Sequence, residues 1–243
     1  MTRKPFIVAH RGLSGLYPEN TLLAFEKALE LPVDAIEFDL HPTADGEVVI
    51  THDDTLERCS DGAGPVRERT LAELKALDFG SWKGSEFAGV RLPTFVELLD
   101  LVEARRPDIF LCVELKENSE SCARQALEEL RRRNRLHRCS IISFHPEMLR
   151  LADSIEPGLE LHGFIPSGMD DAATEAYYRL IRRIGIWHLD ATAELVESYH
   201  RRGIRVDVWA TDTAETFRRA VDLGIDFITT NRADVCCRED GRL

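Results

Sequence analysis

Short apolar runs alternate with longer amphipathic stretches along the whole chain. Eight runs read as strands: 6–10 (FIVAH), 34–39 (DAIEFD), 109–115 (IFLCVEL), 139–143 (CSIIS), 159–165 (LELHGFI), 186–189 (IWHL), 204–209 (IRVDVW) and 226–230 (DFITT). Between them the spacing of apolar residues predicts helices over 20–30, 94–105, 119–134, 146–154, 172–184, 192–202 and 213–223. In the first helix Leu22, Leu23, Phe25, Ala28 and Leu29 form an apolar stripe, and Asn20 is placed to cap its first turn. Gly203 and Gly224 each separate a helix from a strand, where a left-handed residue closes the helix. Strands alternating with helices in this way build a parallel sheet. Eight such units favour a closed α/β barrel of the (β/α)8 TIM type over an open doubly wound sheet. The expectation is one domain spanning residues 1–243.

One stretch breaks the rhythm. After the second strand, DGEVVI reads as the return strand of a hairpin with Asp45-Gly46 at the turn. Residues 54–93 then hold SDGAG, a helix-like LAELKAL and the aromatics Phe79, Trp82 and Phe87 before the βα pattern resumes. This is a small insertion, and on the carboxyl-end side of a barrel it would sit over the pocket and shape substrate choice. The last residues, CCREDGRL, read as a polar tail.

Hydrophobic residues make up 44% of the chain, enough for a large core, while 31 basic against 43 acidic residues leave a net charge of −12. That balance argues against nucleic acid as a partner, although a local cluster of basic side chains and metal can still hold an anion. The basic N-terminus, MTRKPFIVAH, runs into a polar HRG without an apolar stretch of signal-peptide length, and no segment approaches a membrane span. Six cysteines show no CxxC pair and no zinc spacing, which fits reduced thiols and a cytoplasmic protein with no stable membrane anchoring.

Against that background the candidate chemistry lies at strand ends. Glu37 and Asp39 stand one residue apart, so on a strand both point to one face while Ile36 and Phe38 point to the other. Glu114, between Val113 and Leu115, has a similar setting. Carboxylates in apolar surroundings are costly to desolvate unless something compensates them. An oxygen-only set without cysteine or a histidine cluster points to Mg²⁺ or Ca²⁺. His10 and His52 both leave apolar strands at their carboxyl ends, where barrel enzymes keep catalytic groups. Arg11 and Lys116 supply positive charge beside the acids, and Phe144 and Trp209 end two strand runs where they can wall a pocket. His41, His137, His145, His162, His188 and His200 read as histidines with local hydrogen bonds only.

The series HRG (10–12), YPENT (17–21), EFD (37–39), DGEVVITHDDTLERC (45–59), LPTF (92–95), VELK (113–116), SF (143–144) and VW (208–209) resembles the glycerophosphodiester phosphodiesterase family in order and over nearly the whole chain. The resemblance implies a barrel of the triose-phosphate isomerase type, a divalent cation, and hydrolysis of small-molecule glycerophosphodiesters to sn-glycerol 3-phosphate and an alcohol. It further implies that His10 and His52 share acid and base work. Glu37, Asp39 and Glu114 would bind the metal, and Arg11 and Lys116 would hold phosphate oxygens. Glu19 and Asn20 resemble residues that orient the metal or substrate side of the site. Two stretches depart from the family pattern, Trp209-Ala210-Thr211-Asp212 and Thr230-Asn231-Arg232, and both are expected on the far side of the pocket, where they bear on head-group preference. Two rivals share parts of this arrangement: a phospholipase D-like barrel acting on lysophospholipids or sphingomyelin, and a non-catalytic phosphodiester-binding barrel. The first needs an apolar entry, and the scattered aromatics of FGSWKGSEFAG suit a closed lid better than a membrane-facing patch.

Overall fold

The computed structural model describes residues 4–243. Its strands are β1 (Phe6–His10), β2 (Ala35–Pro42), β3 (Val48–Ile50), β4 (Phe110–Leu115), β5 (Cys139–Ile142), β6 (Glu160–Phe164), β7 (Arg183–Trp187), β8 (Arg205–Trp209) and β9 (Phe227–Thr230). Eight of them run parallel in the order β1-β2-β4-β5-β6-β7-β8-β9, and β1 pairs with both β2 and β9, which closes the barrel. The ninth, β3, lies antiparallel on the outer part of β2, with Leu40 opposite Ile50, and forms the expected hairpin. The helices are α1 (Leu22–Leu29), α2 (Leu71–Ala76), α3 (Phe95–Arg105), α4 (Glu120–Arg132), α5 (Pro146–Ile155), α6 (Asp171–Leu180), α7 (Ala193–Arg201), α8 (Ala214–Asp222) and, after the last strand, α9 (Ala233–Glu239). The fold is a TIM-type (β/α)8 barrel.

Strand alternation divides the side chains between two layers. Outward residues such as Ile36, Phe38 and Leu40 join the core under the helices. Phe38 is fully buried between Phe25 of α1 at 6.1 Å and Phe95 of α3 at 5.7 Å between ring centres. Its replacement by alanine leaves a cavity among rigid neighbours, so urea unfolding of Phe38→Ala is expected to show a loss of about 3–5 kcal/mol. Inward residues build a small separate core of Val8, Ala35, Cys112, Ile142 and Phe227. Below it the rings of Phe6, Phe110 and Phe227 meet edge-on or tilted and plug the amino end of the barrel.

Three local expectations change. Thr21, not Asn20, caps α1 by accepting the Ala24 N–H at 3.2 Å, while Asn20 takes a left-handed φ of 57° that turns its side chain to the barrel. Helix α6 ends at Leu180 rather than at 184, and Arg183, placed within that helix from sequence, begins β7 instead. Arg183 is wholly buried, 3.5 Å above the Phe227 ring and ion-paired with Glu160, so an arginine becomes a strand residue because an aromatic plug and a carboxylate receive it. The polar tail is also partly helical. Ala233, Cys236 and Cys237 form the buried stripe of α9, and Arg242 closes it by pairing with Asp34 at 2.7 Å. All six cysteines are free thiols.

The insertion has its own apolar cluster of Val49, Leu56, Val66, Leu74, Phe79 and Leu92. That cluster anchors it beside β3, and no residue of 54–93 lines the central cavity described below; the insertion borders the adjoining groove instead. Among the described residues no helix is long and apolar enough to cross a membrane.

Candidate active site

Barrel register assembles the acids. Glu37 and Asp39 alternate along β2 and face inward; β1 pairing sets His10 beside Glu37, and β4 pairing sets Asp39 beside Glu114. One oxygen from each of the three buried carboxylates falls in a group with all members within 4.8 Å of one another. Glu37 Oε1 and Asp39 Oδ1 are buried without a hydrogen-bond partner. Carboxylate oxygens left dry in this way are destabilising. A hard divalent cation, Mg²⁺ or Ca²⁺, fits such an oxygen-only set.

The surrounding charges act differently on the three acids. Burial, reinforced by Asp39 and Glu114, pushes the Glu37 carboxyl well above its ordinary range. Burial pushes Asp39 the same way, but the Arg11 and Lys116 charges outweigh it and hold Asp39 below its usual value. Glu114 is raised by burial and by Asp39. The Arg11 guanidinium lies 3.4 Å from Asp39 and its backbone N–H donates to Glu37 at 3.0 Å, a contact made possible by its left-handed φ of 54°. Gly12 follows at φ 80°, and any side chain there would strike the backbone of Ala24 at 2.6 Å; the HRG turn packs directly on α1. Lys116 bonds Glu114 at 2.9 Å and lies 3.7 Å from Asp39. Asn20 donates its amide to Asp39 at 2.7 Å.

The two histidines are held differently. His10 Nδ1 lies 2.7 Å from Asn231 Oδ1. Asn231 Nδ2 donates to the Asp212 carboxylate at 2.8 Å, which fixes the amide orientation and leaves its oxygen for the histidine. His10 therefore carries its proton on Nδ1 and presents the Nε2 lone pair toward Glu37, 3.8 Å away. Burial, followed by the Arg11 charge, lowers its pKa to about 4, so the ring is neutral at pH 7. His52 instead places Nδ1 2.7 Å from the Asp53 carboxylate. Partial burial lowers its pKa, while Asp39 and Asp53 act in the opposite direction. Asp53, which burial would raise, is held down at about 2 by Arg58 and His52. Arg58 also bonds Glu19 at 2.9 Å, and Glu19 bonds Arg11 at 2.8 Å.

A cavity of about 90 Å³ joins these groups. His10, Arg11, Glu37, His52, Glu114 and Lys116 line one side, and Ile142, Phe144, Phe164 and Trp209 the other, with His162, Asp207 and Thr229 completing it. The Phe144 ring stacks on Phe164 at 3.5 Å and meets the Trp209 ring edge-on at 6.5 Å, while the Lys116 ammonium lies 5.8 Å from its centre. Beyond His52 a more open groove of about 660 Å³ is lined by Asp53, Asp54, Arg67, Glu117 and His145, and here the insertion does contribute.

Every residue singled out from sequence for catalysis, substrate or metal converges here. Asp53, Arg58, Glu19 and the Asp212–Asn231 pair belong to the same network; Glu19 is the one the resemblance singles out, while sequence reasoning gives Asp53 and Arg58 no role and puts Asp212 and Asn231 on the far side of the pocket. Thr230-Asn231-Arg232 was expected to affect only the far side of the pocket, but barrel closure sets Asn231 directly against His10. The resemblance to PENT was the one signal for Glu19, and the spacing of Arg58 five residues after Asp53 gives no hint that they meet. His162 was read as locally hydrogen-bonded; it lies instead on β6, facing the cavity, with neither ring nitrogen paired.

The model of the glycerophosphoryl diester phosphodiesterase family matches residues 10–235. A glycerophosphodiester phosphodiesterase of Caldanaerobacter subterraneus subsp. tengcongensis is 32% identical over 231 residues, covering 94% of this chain and 94% of the relative. Among solved structures, an Oleispira antarctica phosphodiesterase in complex with the product sn-glycerol-3-phosphate superposes with a TM-score of 0.87 at 26% identity, covering 98% of this chain and 97% of that one. A glycerophosphodiester phosphodiesterase from Agrobacterium tumefaciens gives 0.83 at 26% identity, covering 97% and 100% of the two chains.

Proposed function

The chain belongs to the glycerophosphoryl diester phosphodiesterase family, enzymes that hydrolyse glycerophosphodiesters, and from that premise we propose that it cleaves them to sn-glycerol 3-phosphate and an alcohol with a divalent cation and two histidines. The observation that carries this reading is a single cavity that brings both imidazoles, two basic side chains and the acidic cluster together. Glu37, Asp39 and Glu114 would hold Mg²⁺ or Ca²⁺, which when bound polarises a phosphoryl oxygen.

The remaining work falls to the protein's own groups. Arg11 and Lys116, held in place by their carboxylate partners, bind phosphate oxygens and oppose the charge that grows as phosphorus becomes five-coordinate. His10, neutral and with its lone pair turned into the site, takes the proton of the attacking oxygen, whether water or the substrate's own secondary hydroxyl. His52, whose imidazolium the Asp53 carboxylate stabilises against the lowering effect of burial, gives a proton to the leaving alkoxide. Phe144 and Trp209 wall the carbon skeleton of the substrate. A chain of −12 net charge attracts an anionic substrate only at this local basic cluster.

Incubation with glycerophosphocholine and Mg²⁺ or Ca²⁺ is expected to release glycerol 3-phosphate, detectable by ³¹P NMR. No cleavage of any glycerophosphodiester under these conditions contradicts the reading. Asn231→Leu removes the acceptor that sets the His10 tautomer while leaving the imidazole in place. Steady-state kinetics should show kcat reduced on the order of 10–100-fold, the usual cost of losing an outer partner, with KM little changed.

One observation favours a second substrate class. Phe144, Ile165, Trp187 and Leu189 are exposed at or just after the carboxyl ends of β5, β6 and β7, an apolar rim on which an acyl chain can lie. Under this reading lysophosphatidylcholine competes with glycerophosphocholine; if hydrolysis of the two proceeds independently of the rim substitution Leu189→Ser, the rim has no part in substrate choice.

A further inference from the structure

The barrel interior just below the acids is apolar on one side and polar on the other. Barrels of this type usually fill such layers with branched apolar side chains, and here Val8, Cys112 and Ile142 do so over β1, β4 and β5. Over β6, β8 and β9 the inward positions hold His162, Asp207 and Thr229, all buried. Between them β7 contributes only Gly185. A side chain there would place its first carbon 2.6 Å from the Phe164 ring and 3.0 Å from His162 Nε2, so the histidine and the phenylalanine use space that the glycine vacates.

His162 is 4% exposed, and neither of its ring nitrogens has a hydrogen-bond partner. Its Nδ1 stands 3.9 Å from Asp207 Oδ2, too far for a direct bond but close enough for one oxygen to reach both. The other Asp207 oxygen accepts from Thr229 at 2.9 Å. In the adjoining wall Trp209 Nε1 is likewise buried and unpaired. Burial and the nearby Arg183 and Arg205 charges keep the His162 ring neutral, with one donor and one acceptor. Burial raises Asp207 only to about 6, so it is a carboxylate at neutral pH. A carboxylate here repels phosphate, and Arg183, 3.7 Å from the same carboxylate oxygen, disfavours an ammonium. A hydroxyl, which donates to Asp207 and accepts from an N–H, meets every requirement.

We propose that His162, Asp207 and Trp209 form a hydroxyl-recognition subsite, which holds a hydroxyl of the substrate while its phosphate lies at the acidic cluster. The inference rests on the family reading and adds to it the group that positions the substrate's carbon skeleton. The hydroxyl belongs either to the glycerol half or to a polyol on the alcohol half.

The test compares two ligands on the full chain with Mg²⁺ present: glycerol 3-phosphate and propyl phosphate, which keeps three carbons and the phosphate but lacks hydroxyls. Calorimetry should show the native protein preferring glycerol 3-phosphate on the order of tenfold, as expected for a buried hydrogen bond, and His162→Leu bringing the two within about threefold. If that preference survives but His162→Leu loses the native protein's discrimination in kcat/KM between glycerophosphoglycerol and glycerophosphocholine, the hydroxyl is on the alcohol half and the subsite stands. Both preferences unchanged in His162→Leu overturn it. Should circular dichroism show that His162→Leu does not fold, Trp209→Phe removes one donor, keeps the aromatic wall, and must shift one of the two preferences in the same direction. Loss of all turnover by the native protein would count against the catalytic reading, and the binding comparison would still judge the subsite.

Discussion

His52→Ala should lower kcat on glycerophosphocholine by on the order of 10²–10⁴-fold while lowering it by less than about tenfold on a p-nitrophenyl diester. The difference arises because choline leaves as an alkoxide that needs a proton, whereas nitrophenolate is stable without one. In the proposed mechanism Asp53, bonded to His52 at 2.7 Å and anchored by Arg58, suits His52 to the role of proton donor. His10→Ala should lose a similar factor on both diesters, since activation of the attacking oxygen is needed whichever group leaves. The double variant should be far less impaired than the product of the two losses, because two residues acting in one step fail together. His52 is partly exposed and its removal leaves little empty space, so the thermal midpoint should barely move. Equal losses on both substrates for both single variants would show that neither histidine protonates the leaving group.

The second large effect concerns Glu114. Glu114→Gln keeps the side chain's size but removes a charge from a buried set in which Glu37 and Asp39 already carry unpaired oxygens. Affinity for Mg²⁺ or Ca²⁺, measured by calorimetry, should fall by at least on the order of 10²-fold, and kcat/KM at fixed cation should fall with it. Folding should persist, because Lys116 retains Asp39 at 3.7 Å as a second partner. A variant that binds the cation as tightly as the native protein would remove Glu114 from the ligand set.

The parts of this site that were legible in sequence are those that depend on neighbours along the chain. Strand alternation alone puts Glu37 and Asp39 on one face, and their apolar flanks announce that the face is dry. The eight apolar runs likewise give the barrel and its order of strands. Contacts made only by closure of the barrel left no such trace. Asn231 touches His10 across 221 positions because β9 returns to β1, and nothing local to either residue records it. Arg183 falls within the helix the sequence predicts over 172–184, since nothing local to it marks a buried strand position. The ring of Phe227 that receives it lies on a different strand. The buried stripe of α9 escaped notice for a related reason: its apolar face consists of one alanine and two cysteines among charges, too short to show a period. In sequence His162 reads as a histidine with local hydrogen bonds only, and the three-dimensional environment is what leaves both its ring nitrogens without a partner.

The central claim is that an ion held by Glu37, Asp39 and Glu114 is required for phosphodiester cleavage. The most direct measurement strips the protein with EDTA, removes the chelator by dialysis, and follows glycerophosphocholine by ³¹P NMR before and after Mg²⁺ or Ca²⁺ is returned. The account predicts no detectable glycerol 3-phosphate from the stripped protein, full recovery on adding the cation, and no recovery for Glu114→Gln at the same concentration. Undiminished release of glycerol 3-phosphate by the stripped native protein would contradict it.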